Sequence, residues 1–125
     1  MINTKPVLIE VDRINIAAGS TISGVVKWQS IEQSEPLELR LSWHTEGRGT
    51  MDRKIIYQQA LPIVTHLQSH RFSIKAPEGP YSFTGRLIEL IWTISCVSKK
   101  GKVLDSTQLY LSRDGRAVEL YELAK

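Results

Sequence analysis

The stretch from Pro77 to Val97 constrains the fold more than any other part of the chain. A segment rich in Pro and Gly opens there into the longest apolar run of the sequence. Ile88, Leu90, Trp92, Ile94 and Cys96 fall on one face of a period-two pattern, which marks a strand with one side against a core. The other face carries Leu87, Glu89, Ile91, Thr93, Ser95 and Val97. Because that face is also partly apolar, the strand belongs inside a sheet rather than at its rim.

The same period recurs along the chain. Lys5–Val11 reads as a first strand, and Pro6, which cannot donate to a ladder, suits it to an edge. The turn signal Ala17-Ala18-Gly19-Ser20 precedes a strand over Thr21–Gln29, in which Gly24 leaves room for a close neighbour or marks a bulge. After Pro36 the alternation is cleanest. Leu37, Leu39, Leu41 and Trp43 face inward, while Glu38, Arg40, Ser42 and His44 face out. The glycines flanking Arg48 predict a mobile loop over Thr45–Arg53. Strands follow over Lys54–Leu61 and Arg71–Lys75, with Ile63–His70 ambiguous. Lys99–Lys102 reads as a basic hairpin tip, with residues 103–112 returning as the partner strand. Arg113–Arg116 carries an Asp-Gly turn signal, and the tail 117–125 fits a strand or a helix, the strand being preferred. About nine short strand signals without a long helix predict an all-β domain over residues 1–125, an antiparallel two-sheet sandwich of immunoglobulin-like type. In that order Arg40 or His44 would lie beside Glu89 or Thr93.

Composition narrows the partners. Sixteen basic and thirteen acidic residues leave a net charge of +3, too little for the dense basic stripe of a nucleic-acid binder, so none is expected. Cys96 is the single cysteine. No internal disulfide can form, and its place on the apolar face predicts a buried, inert thiol. The N-terminal apolar run is too short for a signal peptide or a membrane span, and no Asn-x-Ser/Thr site is present, which together point to a cytoplasmic chain.

Two segments carry a family resemblance. PEGPYSFTGRLIELIWTISC, with Pro80, Ser82, Phe83, Gly85, Ile88, Leu90, Trp92 and Ile94, resembles the corner and strand of arrestin-like sandwiches. AGSTISGVVKW, with Gly19, Ile22, Gly24 and Val26, is similar to that family's glycine-containing strand. The resemblance covers roughly Val7 to Leu111. It implies a scaffold or adaptor that binds proteins through loops or strand edges, with no cofactor and no chemistry. The chain departs from the family in length, since arrestins and their retromer-type relatives carry two such sandwiches in tandem. Their phosphate-sensing charged cluster needs both, and none of it is carried over.

No catalytic constellation emerges. His66 and His70 would be about 13 Å apart on a strand, too far to share an ion. No serine sits in a nucleophile elbow, Gly47-Arg48-Gly49 lacks the rest of a dinucleotide loop, and the aspartates are scattered. An enzyme is therefore not expected, nor any metal or cofactor. Trp28, Trp43 and Trp92 lie in phase with aliphatic neighbours and read as core. A small-ligand or carbohydrate-binding sandwich is the alternative function if one of them is exposed. The expected protein-binding residues are Arg48 and Arg53 in the loop and Lys99, Lys100 and Lys102 at the basic tip, along with exposed strand edges. Self-association through Leu87 and Ile91 is expected if both are exposed.

Overall fold

The computed structural model describes residues 7–28, 37–48, 51–61, 69–85 and 88–115. Their elements are all strands: β1 (Val7–Val11), β2 (Asn15–Ala17), β3 (Thr21–Trp28), β4 (Leu37–Gly47), β5 (Arg53–Leu61), β6 (Ser69–Lys75), β7 (Phe83–Thr84), β8 (Ile88–Ser98) and β9 (Val103–Ser112). One sheet has the order β1-β3-β6. The larger runs β2-β9-β8-β4-β5, with β7 on the flank of β8. Among the described residues no helix is long and apolar enough to cross a membrane.

The alternating residues fill the space between the sheets. Leu37, Leu39 and Leu41 of β4, Trp92, Ile94 and Cys96 of β8, and Leu109 and Leu111 of β9 are buried against Val7, Ile9, Ile22, Val26, Phe72 and Ile74 of the smaller sheet. β8 lies between β4 and β9, as its two apolar faces predict. Trp92 is buried, and its indole N–H donates to the Pro80 carbonyl at 2.6 Å. The Pro/Gly segment is thereby fastened to the core it leads into. Ser82 completes the corner: its N–H donates to the Leu111 carbonyl, and its hydroxyl accepts from the Leu111 N–H. β7 can then take the flank of β8 at Leu90 and Glu89, beyond the last β9 pair at Trp92.

Several details differ from the sequence expectation. β2 pairs parallel to β9, so the sandwich is not wholly antiparallel. Ile88 shares the phase of the inward residues but is exposed, because it lies at the far end of β8 beside Gly47 and Gly85, neither of which has a side chain to cover it. On the opposite face Ser95 and Val97 are buried. A bulge contributes: Cys96 faces Asp105 and Val97 faces Val103, which leaves Leu104 as the extra residue. Arg40 and His44 lie across from Ser95 and Ile91, so Glu89 and Thr93 are diagonal rather than direct neighbours. Leu87, His66 and the tail 117–125 fall outside the described residues.

Of the two readings of Gly24, a close neighbour or a bulge, the structure has the close neighbour, with regular pairing on both sides. A Cβ there would meet the Glu10 carbonyl oxygen, Phe72 Cζ at 2.8 Å and Val11 Cα at 2.9 Å. The inner strand β3 can therefore lie tightly against β1 only through glycine.

Candidate functional site

The two groups of candidate binding residues lie at opposite ends of the larger sheet. β4 and β8 run antiparallel, with Leu37 opposite Ser98 and Gly47 opposite Ile88. Arg48 and Arg53 follow the Gly47 end, and Lys99, Lys100 and Lys102 follow the Ser98 end. At the strand rise the eleven-residue β8 separates them by roughly 33 Å. They do not form one surface.

At the first end a residue pair inside the expected mobile loop, Thr45 and Asp52, closes the connection from β4 to β5, of which residues 49 and 50 fall outside the described residues. The Thr45 N–H donates to the Asp52 carbonyl at 2.9 Å, and the Asp52 N–H donates to Thr45 Oγ1 at 2.8 Å. Gly47, with φ +133°, supplies a backbone conformation that other residues rarely adopt. Arg48, Met51 and Arg53 are exposed. Arg53 lies across from His44, whose Nε2 is 2.8 Å from Glu46 Oε2. At the other end the Ser98 N–H donates to the Lys102 carbonyl and the Gly101 N–H to the Ser98 carbonyl. Gly101 has φ +89° and nothing within 4 Å of where a Cβ would lie. The three lysines are carried on a turn that projects into solvent.

The two sides of the sandwich differ as much as its ends. On one side β1 meets β9: the buried Asp105 carboxylate accepts the Ile9 N–H at 2.8 Å and ties the smaller sheet to the larger. A carboxylate turned inward serves here as the acceptor that a further strand would offer. It also acts on Cys96, its partner across the β8–β9 ladder. Burial, and then the Asp105 charge, push the Cys96 thiol up to about 11. Cys96 is a free, buried thiol, so its environment opposes the nucleophilic thiolate.

On the opposite side β5 ends the larger sheet. Among the described residues it pairs only with β4, and every residue from Arg53 to Ile56 is exposed, with Ile55 41% and Ile56 38% accessible. The register shifts between Leu41 and Ser42, leaving Ile56 as the extra residue of a bulge. From Tyr57 to Leu61 the pairing is regular. The sequence pointed to strand edges as contact sites in general. It did not single out β5, because lateral strand order is not written in local alternation.

The tryptophans offer little for a stacking platform. Trp28 and Trp92 are buried, and Trp43 is partly buried against the core. Trp43 Nε1 is shielded from solvent, with no hydrogen-bond partner among the described residues. A cavity of about 10 Å³, lined by Ile16, Ile22, Leu41, Pro77, Trp92, Leu109 and Leu111, is far below the several hundred Å³ of an ordinary ligand pocket. Among the described residues no three His, Cys, Asp or Glu side chains gather closely enough to hold a metal ion.

No protein-family model matches the chain, and no curated protein matches it in sequence. Solved structures are similar in fold. The crystal structure of Spo0M, a sporulation control protein from Bacillus subtilis, matches 89% of this chain and 50% of its own, with a TM-score of 0.55 and 15% identity. The chain thus spans half the length of that protein. The alkylpurine DNA glycosylase AlkC of Pseudomonas fluorescens, bound to DNA containing an abasic site analog, matches 88% of this chain and 31% of its own, with a TM-score of 0.38 and 15% identity. The first likeness concerns the all-β fold alone, and the second is too low to carry an argument.

Proposed function

We propose that this chain is a non-enzymatic protein-interaction module, a scaffold or adaptor built on an arrestin-like sandwich. The observation that carries the reading is the edge of β5, nine residues long, exposed over most of both faces and, among the described residues, without a further strand. An edge of that kind presents unpaired backbone donors and acceptors, which is how an extended segment of another protein gains main-chain hydrogen bonds. The corner built from Pro80, Ser82 and Trp92 supports the arrestin-like assignment. The two projecting tips, with Arg48 and Arg53 at one end and Lys99, Lys100 and Lys102 at the other, are secondary contact points that act independently.

Affinity purification from cell extract with mass spectrometry tests this. The wild type is compared with Arg48→Ala/Arg53→Ala, with Lys99→Ala/Lys100→Ala/Lys102→Ala, and with Ile55→Lys/Ile56→Lys. The expected result is a set of proteins retained by the wild type and lost from at least the β5 variant. Equal retention by all four proteins, matched by an unrelated sandwich domain, would refute the module reading.

A further inference from the structure

We infer that β5 receives an extended acidic peptide, which adds to the larger sheet as its next strand. The inference rests on the interaction-module reading and names the partner's chemistry. Its first support is topological. The β1–β9 side of the sandwich is closed by the Asp105–Ile9 bond, whereas β5 ends its sheet with no strand beyond it among the described residues. Its second support is the composition of the edge. β5 holds no proline and no acidic residue. The bulge at Ile56 twists its first half, but Tyr57–Leu61 stays regular and long enough to carry a ladder. Ile55 and Ile56 offer apolar contact to alternate side chains of an incoming strand.

The third support is charge, and it selects the occupant. From residue 53 to residue 77 the sequence has Arg53, Lys54, Arg71 and Lys75 and not one Asp or Glu. Lys75 lies on β6, the strand at the free end of the smaller sheet, whereas Arg71 of the same strand faces Asp12 at 3.5 Å and adds little to this charge. Two acids on the neighbouring β4 are engaged by side chains of that strand, and Asp52 precedes Arg53 in the turn. Glu38, across from Ala60, is ion-paired with Arg40, and Glu46 lies 2.8 Å from His44, the residue across from Arg53, which leaves Asp52, among the described residues, as the one exposed acid set against two basic residues at the start of the strand. An Asp or Glu opposite Arg53 or Lys54 would make a favourable cross-strand pair. A second copy of this chain pairing β5 to β5 would instead bring together two edges that carry only positive charge. The same charge on an arriving acidic segment speeds encounter and makes binding salt-sensitive.

A displayed library of random ten-residue peptides, selected on the full chain, tests this. Retained sequences are expected to carry net negative charge and to contain an alternating apolar pattern. A retained peptide, synthesised and measured by fluorescence anisotropy, should bind at least tenfold more weakly to Arg53→Glu/Lys54→Glu and lose affinity as salt rises. Successive N–H groups alternate direction along a strand, so one of Gln58→Pro and Gln59→Pro removes an outward donor while sparing the β4 ladder. That variant should fold, by circular dichroism, and bind the peptide at least tenfold more weakly. Three results would overturn the inference: no enriched peptide, retained peptides without acidic excess, or binding unchanged in both the charge-reversed and the folded proline variant. Concentration-dependent dimerisation abolished by the same variants would also overturn it, making a second copy the occupant. If the peptides fail while the β5 variant still loses proteins from extract, this inference falls and the module reading stands.

Discussion

Replacing Gly24 by alanine tests the packing of the whole smaller sheet. The added methyl would sit 2.8 Å from Phe72 Cζ, 2.9 Å from Val11 Cα and closer still to the Glu10 carbonyl oxygen, where carbon atoms normally rest at about 3.5–4.0 Å. The Phe72 ring can swing partly aside, but the other two atoms are backbone, so β1 must move by most of an ångström. Overpacking of this kind costs about 1–3 kcal/mol. Displacing β1 also strains the Ile9–Asp105 bond, and a hydrogen bond to a charged group contributes about 1.5–3 kcal/mol. Against these, alanine gains about 0.5–1 kcal/mol over glycine in a strand interior. The net expectation is roughly 2–4 kcal/mol of destabilisation, a large part of the 5–15 kcal/mol of a typical domain. Urea unfolding followed by tryptophan fluorescence measures it as a lower midpoint at unchanged slope. Gly101→Ala is the control. Its φ of +89° is unfavourable to alanine but its surroundings are empty, so it costs only about 1–2 kcal/mol. If Gly24→Ala loses no more than Gly101→Ala, the close approach of β1 to β3 is not what the sandwich depends on.

Four further outcomes follow from the core and its seam. Cys96 should resist iodoacetamide at pH 8 in the native state and react fully in denaturant, read by mass spectrometry. Because its thiol is raised from 9.0 to about 11, the neutral form is favoured by folding; this stabilisation is complete below pH 9 and is lost as pH rises through 11, roughly 2–3 kcal/mol in all. Cys96→Ala should flatten the fall in stability between those values. Asp105→Ala leaves the Ile9 N–H without its acceptor and should cost about 2–3 kcal/mol in urea, with loss of hydrogen-exchange protection at Ile9; retained protection would show that another group holds β1. Acrylamide should quench tryptophan fluorescence weakly, through Trp43 alone, whereas efficient quenching would revive the small-ligand alternative.

Much of the fold is legible in the sequence because alternation reports burial directly. The ends of β9 at 103 and 112, the turn at Gly101, the positive φ at Gly115 and the inward Trp92 all follow from local pattern and turn chemistry, and a tight neighbour of Gly24 is one of the two readings of that position. β2 does not. Asn15–Ala17 is too short to show a period, and its pairing partner lies at Tyr110–Ser112. The bulges at Ile56 and Leu104 are equally silent, since each depends on how two strands meet rather than on either alone. The candidate residues show the same division. Their exposure is readable from Gly and Lys content, but their placement at opposite ends follows only from the antiparallel register of β4 and β8.

The two long sides of the sandwich solve one physical problem differently. A strand at the margin of a sheet leaves backbone groups in need of partners. β1 meets that need with Asp105, and the arrangement holds a carboxylate and a thiol together in the interior, which raises Cys96 and fixes the seam. Among the described residues β5 has no strand or inward acceptor on its outer edge, and it carries a bulge and two basic residues at its start. Those features discourage a like-charged edge, including another copy of the same strand, while leaving an acidic one unopposed. The closed side can therefore carry stability and the open side recognition, with changes to either expected to leave the other largely intact. Asp105→Ala should lower the unfolding midpoint without changing which peptides β5 selects. Arg53→Glu/Lys54→Glu should change the selection and leave the midpoint within about 0.5 kcal/mol, the usual range for surface substitutions. A charge-reversed β5 that unfolds as readily as the Asp105 variant would mean that the two sides are not separable, and the edge would then be part of the core's support.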